Sequence, residues 1–170
     1  MRLFVAVWPD AATVDLLSSL PRPALPGVRW TRPDQWHVTV RFLGDAEPGA
    51  VASRLGSALP AGPPVRAEMG PARARLGRGV LQAPVAGLED LAGAVVEATA
   101  DLGQPPRPGP FHGHLTLARA RRPEDLRPLV GRPASSSWPV PEVTLVSSAT
   151  GRTGSRYEVV GRWALGVAGS

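Results

Sequence analysis

The sequence predicts an α+β protein built from a repeated β-α-β-α unit, and three observations carry that prediction. Apolar residues alternate along several short segments, the pattern of half-buried strands. Between them lie stretches with apolar residues at helical spacing, opened by Asp or Pro and closed by Gly. The run His37-Val38-Thr39-Val40 then returns as His114-Leu115-Thr116-Leu117, 77 residues later, in a chain with three histidines.

Each element has its own local reason. Residues 3–7 are apolar and β-prone, a first strand, and Asp10 is placed to cap a helix running to about residue 20. The Pro-rich 21–26 is a loop that leads into a strand over 36–43. Gly44-Asp45 turns the chain, and Pro48 suits the first turn of a helix to about residue 59. Residues 65–74, 76 and 80–84 read as short strands around glycine turns. Apolar residues at 88, 91, 95, 98 and 102 form a helical stripe closed by Gly103. A Pro-rich loop over 104–110 precedes a strand over about 111–118, and 123–130 forms a short helix. Strands over 143–149 and 157–165, joined by a turn at 150–155, complete the chain.

The order strand, helix, His-x-Thr strand, helix therefore occurs twice. His37 follows Arg2 by 35 residues and His114 follows Val80 by 34. Two such units related by a pseudo-twofold would set the His-x-Thr strands side by side in a central cleft. With no long polar linker, the expectation is one domain over residues 1–170.

Composition narrows the chemistry. Cysteine is absent, which excludes disulfides, thiol catalysis and cysteine zinc sites. The opening apolar stretch, 3–8, is too short for a signal peptide or a membrane span, so the expectation is a cytoplasmic protein. All nineteen basic residues are Arg, and the net charge is +5. That balance suits a polyanionic partner such as nucleic acid. A chain rich in Ala, Gly, Pro and Arg from a GC-rich genome reaches the same balance without one, and both readings stay open.

Side chains in a strand alternate between faces, so a His and a Thr two residues apart point the same way. Each run thus offers an imidazole and a hydroxyl on one surface, and two facing runs offer two of each around a small anion. Histidine titrates near neutrality, so one copy can accept a proton while the other donates one. In-line attack on phosphorus needs that pair, with Thr39 and Thr116 on the non-bridging oxygens. Arg41 shares the parity of His37 and Thr39 and is a candidate phosphate or RNA contact. Arg119 has the opposite parity to His114 unless the strand bulges before it. Phe42, Trp30 and Trp36 are candidates to stack a base. His112 shares the His114 face, and Arg73, Arg75 and Arg78 form a basic cluster, a phosphate track or a solvated hairpin.

The longer runs sharpen this. Val28-Arg29-Trp30-Thr31-Arg32-Pro33-Asp34-Gln35-Trp36-His37-Val38-Thr39-Val40-Arg41-Phe42-Leu43-Gly44 and His114-Leu115-Thr116-Leu117-Ala118-Arg119 resemble the two signatures of the two-histidine phosphoesterases. The nearest likeness is to the bacterial RNA 2′,3′-cyclic phosphodiesterases, or LigT-like 2′-5′ RNA ligases. Arg2-Leu3-Phe4-Val5-Ala6-Val7 and Val143-Thr144-Leu145-Val146-Ser147-Ser148, followed by Tyr157, extend it along nearly the whole chain. The resemblance implies a bilobal fold, two antiparallel sheets lining a central cleft with helices outside. It implies metal-independent opening of an RNA terminal 2′,3′-cyclic phosphate to a 2′-phosphate, with His37 as proton donor and His114 as acceptor. Reversible 2′-5′ ligation, substrate contacts by Arg41, Arg119 and Phe42, no cofactor, no membrane and a monomeric state belong to the same expectation. One departure is that Gly113 precedes the second His where the family commonly has Pro, which is expected to loosen entry to that strand.

Three other readings remain: a 2′-5′ oligonucleotide phosphodiesterase, a metal-binding protein using His37, His112 and His114, and a non-catalytic RNA-binding module. The metal reading leaves the two threonines without a role.

Overall fold

The structure, a computed structural model, describes residues 1–59 and 64–166. The chain alternates strands and helices as its pattern demands. Strand β1 (Arg2–Val7) leads to α1 (Ala11–Ser19), where the Asp10 side chain accepts from the Thr13 N–H as an N-cap. A short β2 (Val28–Trp30) and a 3-10 turn (Pro33–Gln35) precede β3 (Val38–Asp45) and α2 (Pro48–Ala58). Then come β4 (Val65–Met69), β5 (Ala74–Leu76), β6 (Val80–Ala86) and α3 (Glu89–Thr99). Strand β7 (His114–Ala120), a 3-10 segment (Pro123–Leu129), β8 (Ser136–Val140), β9 (Glu142–Gly151) and β10 (Gly154–Ala164) complete the order.

Several boundaries differ from the sequence pattern: the strands expected over 36–43, 65–74 and 157–165 run over 38–45, 65–69 and 154–164, and three further differences stand out. Helix α3 stops at Thr99, short of residue 102. The chain there turns tightly against β3, where Gln104 N–H donates to Leu43 O at 2.7 Å. Gly103 (φ 63°) has no room for a side chain, since a Cβ would collide with the Leu43 carbonyl oxygen. Strand β7 begins at His114, not near residue 111, although Gly113 O already accepts from Val85 N–H of β6. Strand β8 is absent from the pattern: Ser-Ser-Trp-Pro-Val breaks the alternation, yet Trp138 and Val140 are buried. It forms the last strand of the sheet, paired with β4 alone, where Pro139 costs no ladder bond on its open side.

The strands run in the order β10-β9-β1-β3-β7-β6-β4-β8, with β2 also on β7 and β5 on β6. All pairs are antiparallel. Where two sheets were expected, the order is one continuous path, joined at its middle by a single residue pair, Val38 with Leu115. The main core holds Val38, Val40 and Leu43 of β3, Leu115 and Leu117 of β7, and Val51, Leu55, Leu91 and Val95 of α2 and α3. The helices therefore cover the sheet face opposite His37 and His114. A second, small cluster of Phe4, Ala6 and Val146, with Trp8, Tyr157 and Val159 against it, lies apart from that core.

Candidate active site

Pairing of Val38 with Leu115 sets each His one residue before the seam between β3 and β7. Because those two side chains are fully buried on the core face, His37, Thr39, His114 and Thr116 are turned to the other. There they line one pocket of about 320 Å³ with Phe42, Arg119, Arg2, Arg29, Arg32 and Tyr157.

Both motif strands then break step at the same place. In β3, Arg41 pairs with Val5 and Thr39 with Ala6, which leaves Val40 as an extra residue. In β7, Ala118 pairs with Leu81 and Thr116 with Gln82, which leaves Leu117 extra. These are β-bulges, and each reverses the parity of the residues beyond it. The core face receives Val40 and Arg41 in one strand and Leu117 and Ala118 in the other. Phe42 and Arg119, five residues after their histidines, return to the pocket. Thr31 holds the second bulge, its N–H donating to Leu117 O and its hydroxyl lying 2.9 Å from Thr116 O and Leu117 O.

The bulge corrects the expectation for Arg41. Its side chain is 5% exposed and does not line the pocket. It donates instead to the carbonyls of Phe42, Thr99, Leu102 and Gln104, tying the end of α3 to β3. Strict alternation would have put it beside Thr39; one extra residue put it in the core.

The two imidazoles are fixed in the same tautomer by the same device. His37 Nδ1 lies 2.7 Å from Gln35 O, and His114 Nδ1 lies 3.1 Å from His112 O. A carbonyl only accepts, so both Nδ1 atoms carry hydrogen, and each neutral ring presents a bare Nε2. His37 Nε2 accepts from the Thr39 hydroxyl at 3.1 Å. Surroundings differ, however. Phe4, Trp8 and Tyr157 stand around His37 with ring centroids 4.9, 5.4 and 5.2 Å away. Trp8 is anchored by its indole N–H to Thr144 Oγ1 at 2.8 Å. Burial among these rings lowers the His37 pKa from 6.5 to about 4; the Gln35 carbonyl opposes the shift, and the nearby His114 and Arg119 add to it.

Of the other sequence candidates, Trp30 lines the pocket, whereas Trp36 is buried and donates to Thr31 Oγ1. His112 is exposed outside the pocket and contributes its carbonyl only. Arg73 is buried, with its guanidinium 5.6 Å from the Trp30 ring, so it tracks no ligand. Gly113 does not loosen its strand: a Cβ there would collide with Val85 O, and its own carbonyl accepts from Val85 N–H. Among the described residues, no three His, Asp or Glu side chains come together to hold a metal ion. The residues that pattern reading did not select are the pocket walls Phe4, Tyr157, Arg2, Arg29 and Arg32, and Trp8 beside the His37 ring. They are placed by sheet curvature and cross-strand pairing, which no local spacing records.

Known proteins are similar to this chain in sequence and fold. The family model described as LigT like Phosphoesterase matches residues 8–69. An RNA 2′,3′-cyclic phosphodiesterase of Geobacillus stearothermophilus is 33% identical over 158 residues, 84% of this chain. The chain spans about half, 49%, of that relative's length. Escherichia coli LigT complexed with 3′-AMP superposes with a TM-score of 0.75 at 27% identity, covering 96% of this chain and 97% of that one. A Thermus thermophilus protein, TT0787, gives 0.73 at 27%, covering 99% and 100%. In sequence and in fold the chain is thus similar to the LigT-like phosphoesterases, of the two-histidine group.

Proposed function

We propose that this chain hydrolyses RNA terminal 2′,3′-cyclic phosphates to 2′-phosphomonoesters by paired histidine acid–base catalysis. The observation that carries the reading is the pair of Nε2 atoms, one from each motif strand, in a pocket lined, among the described residues, by four arginines and no carboxylate. Such a pocket attracts a phosphodiester anion, and the two imidazoles can work on opposite sides of its phosphorus.

Water enters opposite the 3′ oxygen. His114 Nε2 takes its proton as the water oxygen bonds to phosphorus; the P–O3′ bond breaks, and His37 Nε2–H gives its proton to the departing oxygen. Thr39 and Thr116 hydrogen-bond the non-bridging oxygens, Arg119 neutralises their charge, and Phe42 stacks the terminal base. With its pKa held near 4, His37 is neutral before substrate binds, so it donates only after taking up a proton with the substrate. The arriving anion favours that uptake, since opposite charge raises a histidine pKa. Run in the same direction with an RNA 5′-hydroxyl in place of water, these steps give 2′-5′ ligation, and their reverse cleaves the 2′-5′ linkage.

Matching bulges, matching tautomers and the central Val38–Leu115 pair support descent of the two halves from one duplicated β-α-β-α unit, forming two lobes of one domain. The protein acts as a monomer with RNA as its partner.

The deciding experiment is to identify the product from a short RNA ending in a 2′,3′-cyclic phosphate, in the presence of EDTA. A 2′-monophosphate end is the expected result. No turnover, a 3′-monophosphate, or turnover confined to 2′-5′-linked dinucleotides overturns the reading.

A further inference from the structure

Residue register places Arg29 of β2 directly opposite Arg119 of β7. Directly opposed residues of an antiparallel pair share a face, and like charges there repel and destabilise the pair. Both side chains are exposed and both line the pocket. Among the described residues neither makes an ion pair, whereas Arg32 beside them is matched by Asp34 at 3.1 Å. Two bare guanidiniums side by side are at odds with folding and suited to holding anions.

Only one of them is needed for the reacting phosphate. Arg119 continues the strand that carries His114 and Thr116, whereas Arg29 comes from the adjacent strand, about 4.8 Å further from that line. A second negative group on the substrate is the partner that this position fits. On a nucleotide whose 2′ and 3′ oxygens sit between the histidines, the remaining phosphate-bearing position of the ribose is the 5′ oxygen.

We infer that Arg29, next to Arg119, forms a subsite for the phosphate on the 5′ oxygen of the terminal nucleoside. This deepens the proposed function and rests on it for the orientation of the nucleotide. The substrate is then a terminal nucleotide that carries a 5′-phosphate, and a bare nucleoside 2′,3′-cyclic phosphate is handled poorly. In an RNA chain that group is the last internucleotide phosphodiester; in a dinucleotide cofactor it is a pyrophosphate.

Calorimetric titration with product-like ligands tests this without requiring turnover. Adenosine 2′,5′-bisphosphate should bind about tenfold or more tightly than 2′-AMP, the range of a charge-assisted contact. In Arg29→Gln that advantage should vanish, with 2′-AMP affinity kept within about twofold. The dinucleotide ApA bearing a terminal 2′-phosphate separates the sources: a matching gain assigns the subsite to the RNA chain, and a gain confined to the bisphosphate and NADP⁺ assigns it to small nucleotides. Equal binding of mono- and bisphosphate by the parent protein, or equal weakening of both by Arg29→Gln, overturns the inference. Failure of cyclic phosphate hydrolysis with the bisphosphate preference intact would reject the catalytic reading and leave the subsite standing.

Discussion

Phe42 stands to His37 as Arg119 stands to His114: five residues further along, beyond a one-residue bulge, and returned to the same pocket. The frame is symmetric while the side chains are not. An aromatic surface lies at one end and a cation at the other, the pair of contacts a nucleotide offers through its base and its phosphate.

The roles of the two histidines are separable by leaving group. Each His→Ala change should lower kcat on a cyclic phosphate by about 10²–10⁴-fold. An aryl phosphodiester, whose phenolate departs without a proton, should restore most of the loss in His37→Ala and little of it in His114→Ala. The reverse pattern in steady-state rates would exchange donor and acceptor.

Acid should weaken the fold through His37. Its folded pKa, about 4, is below the unfolded 6.5, so between those values the unfolded chain binds the extra proton. Stability is thus full above pH 6.5, falls as pH drops through this window, and bottoms out below 4. The loss is at most about 3 kcal/mol. Thermal melts from pH 4 to 7 should show a shallower acid limb in His37→Gln than in the parent protein, and added phosphate should flatten the parent's limb.

Arg41 and Arg119 should separate stability from activity. Arg41→Met removes a charge that bonds four carbonyls and should cost about 3 kcal/mol. That corresponds to a Tm lower by about 6–12 °C, with kcat/KM at low temperature within about threefold of the parent. Arg119→Ala relieves the repulsion with Arg29 and should raise Tm slightly, while lowering kcat/KM about 10- to 100-fold. Paired melting and kinetic measurements check both.

Phe42 is 38% exposed within the pocket wall, with the Arg2 guanidinium 5.1 Å from its ring centroid. Phe42→Ala should raise KM about tenfold through lost stacking, with kcat little changed, and Phe42→Trp should keep KM near the parent value. A fall in kcat alone would show that the ring positions Thr39 instead.

Gly113 tests the approach of β7 to β6. Ala at this position drives a methyl group against Val85 O and should cost about 2 kcal/mol. The expected Tm drop is about 4–8 °C, together with lower kcat because His114 comes directly after it.

Local chemistry was enough to announce much of this protein. Alternation, caps and glycine stops located most strands and all three α-helices, and the repeated His-x-Thr runs singled out residues that do share one pocket. Those signals are local because the period of a strand and the donors of a first helical turn belong to neighbouring residues. The tertiary structure decided what local period cannot encode. Pairing across strands inserted the two bulges, sending Arg41 into the core and bringing Arg119 to the pocket. Packing of Phe4, Trp8 and Tyr157 around one imidazole made two sequence-equivalent histidines chemically unequal, because desolvation depends on neighbours from distant strands.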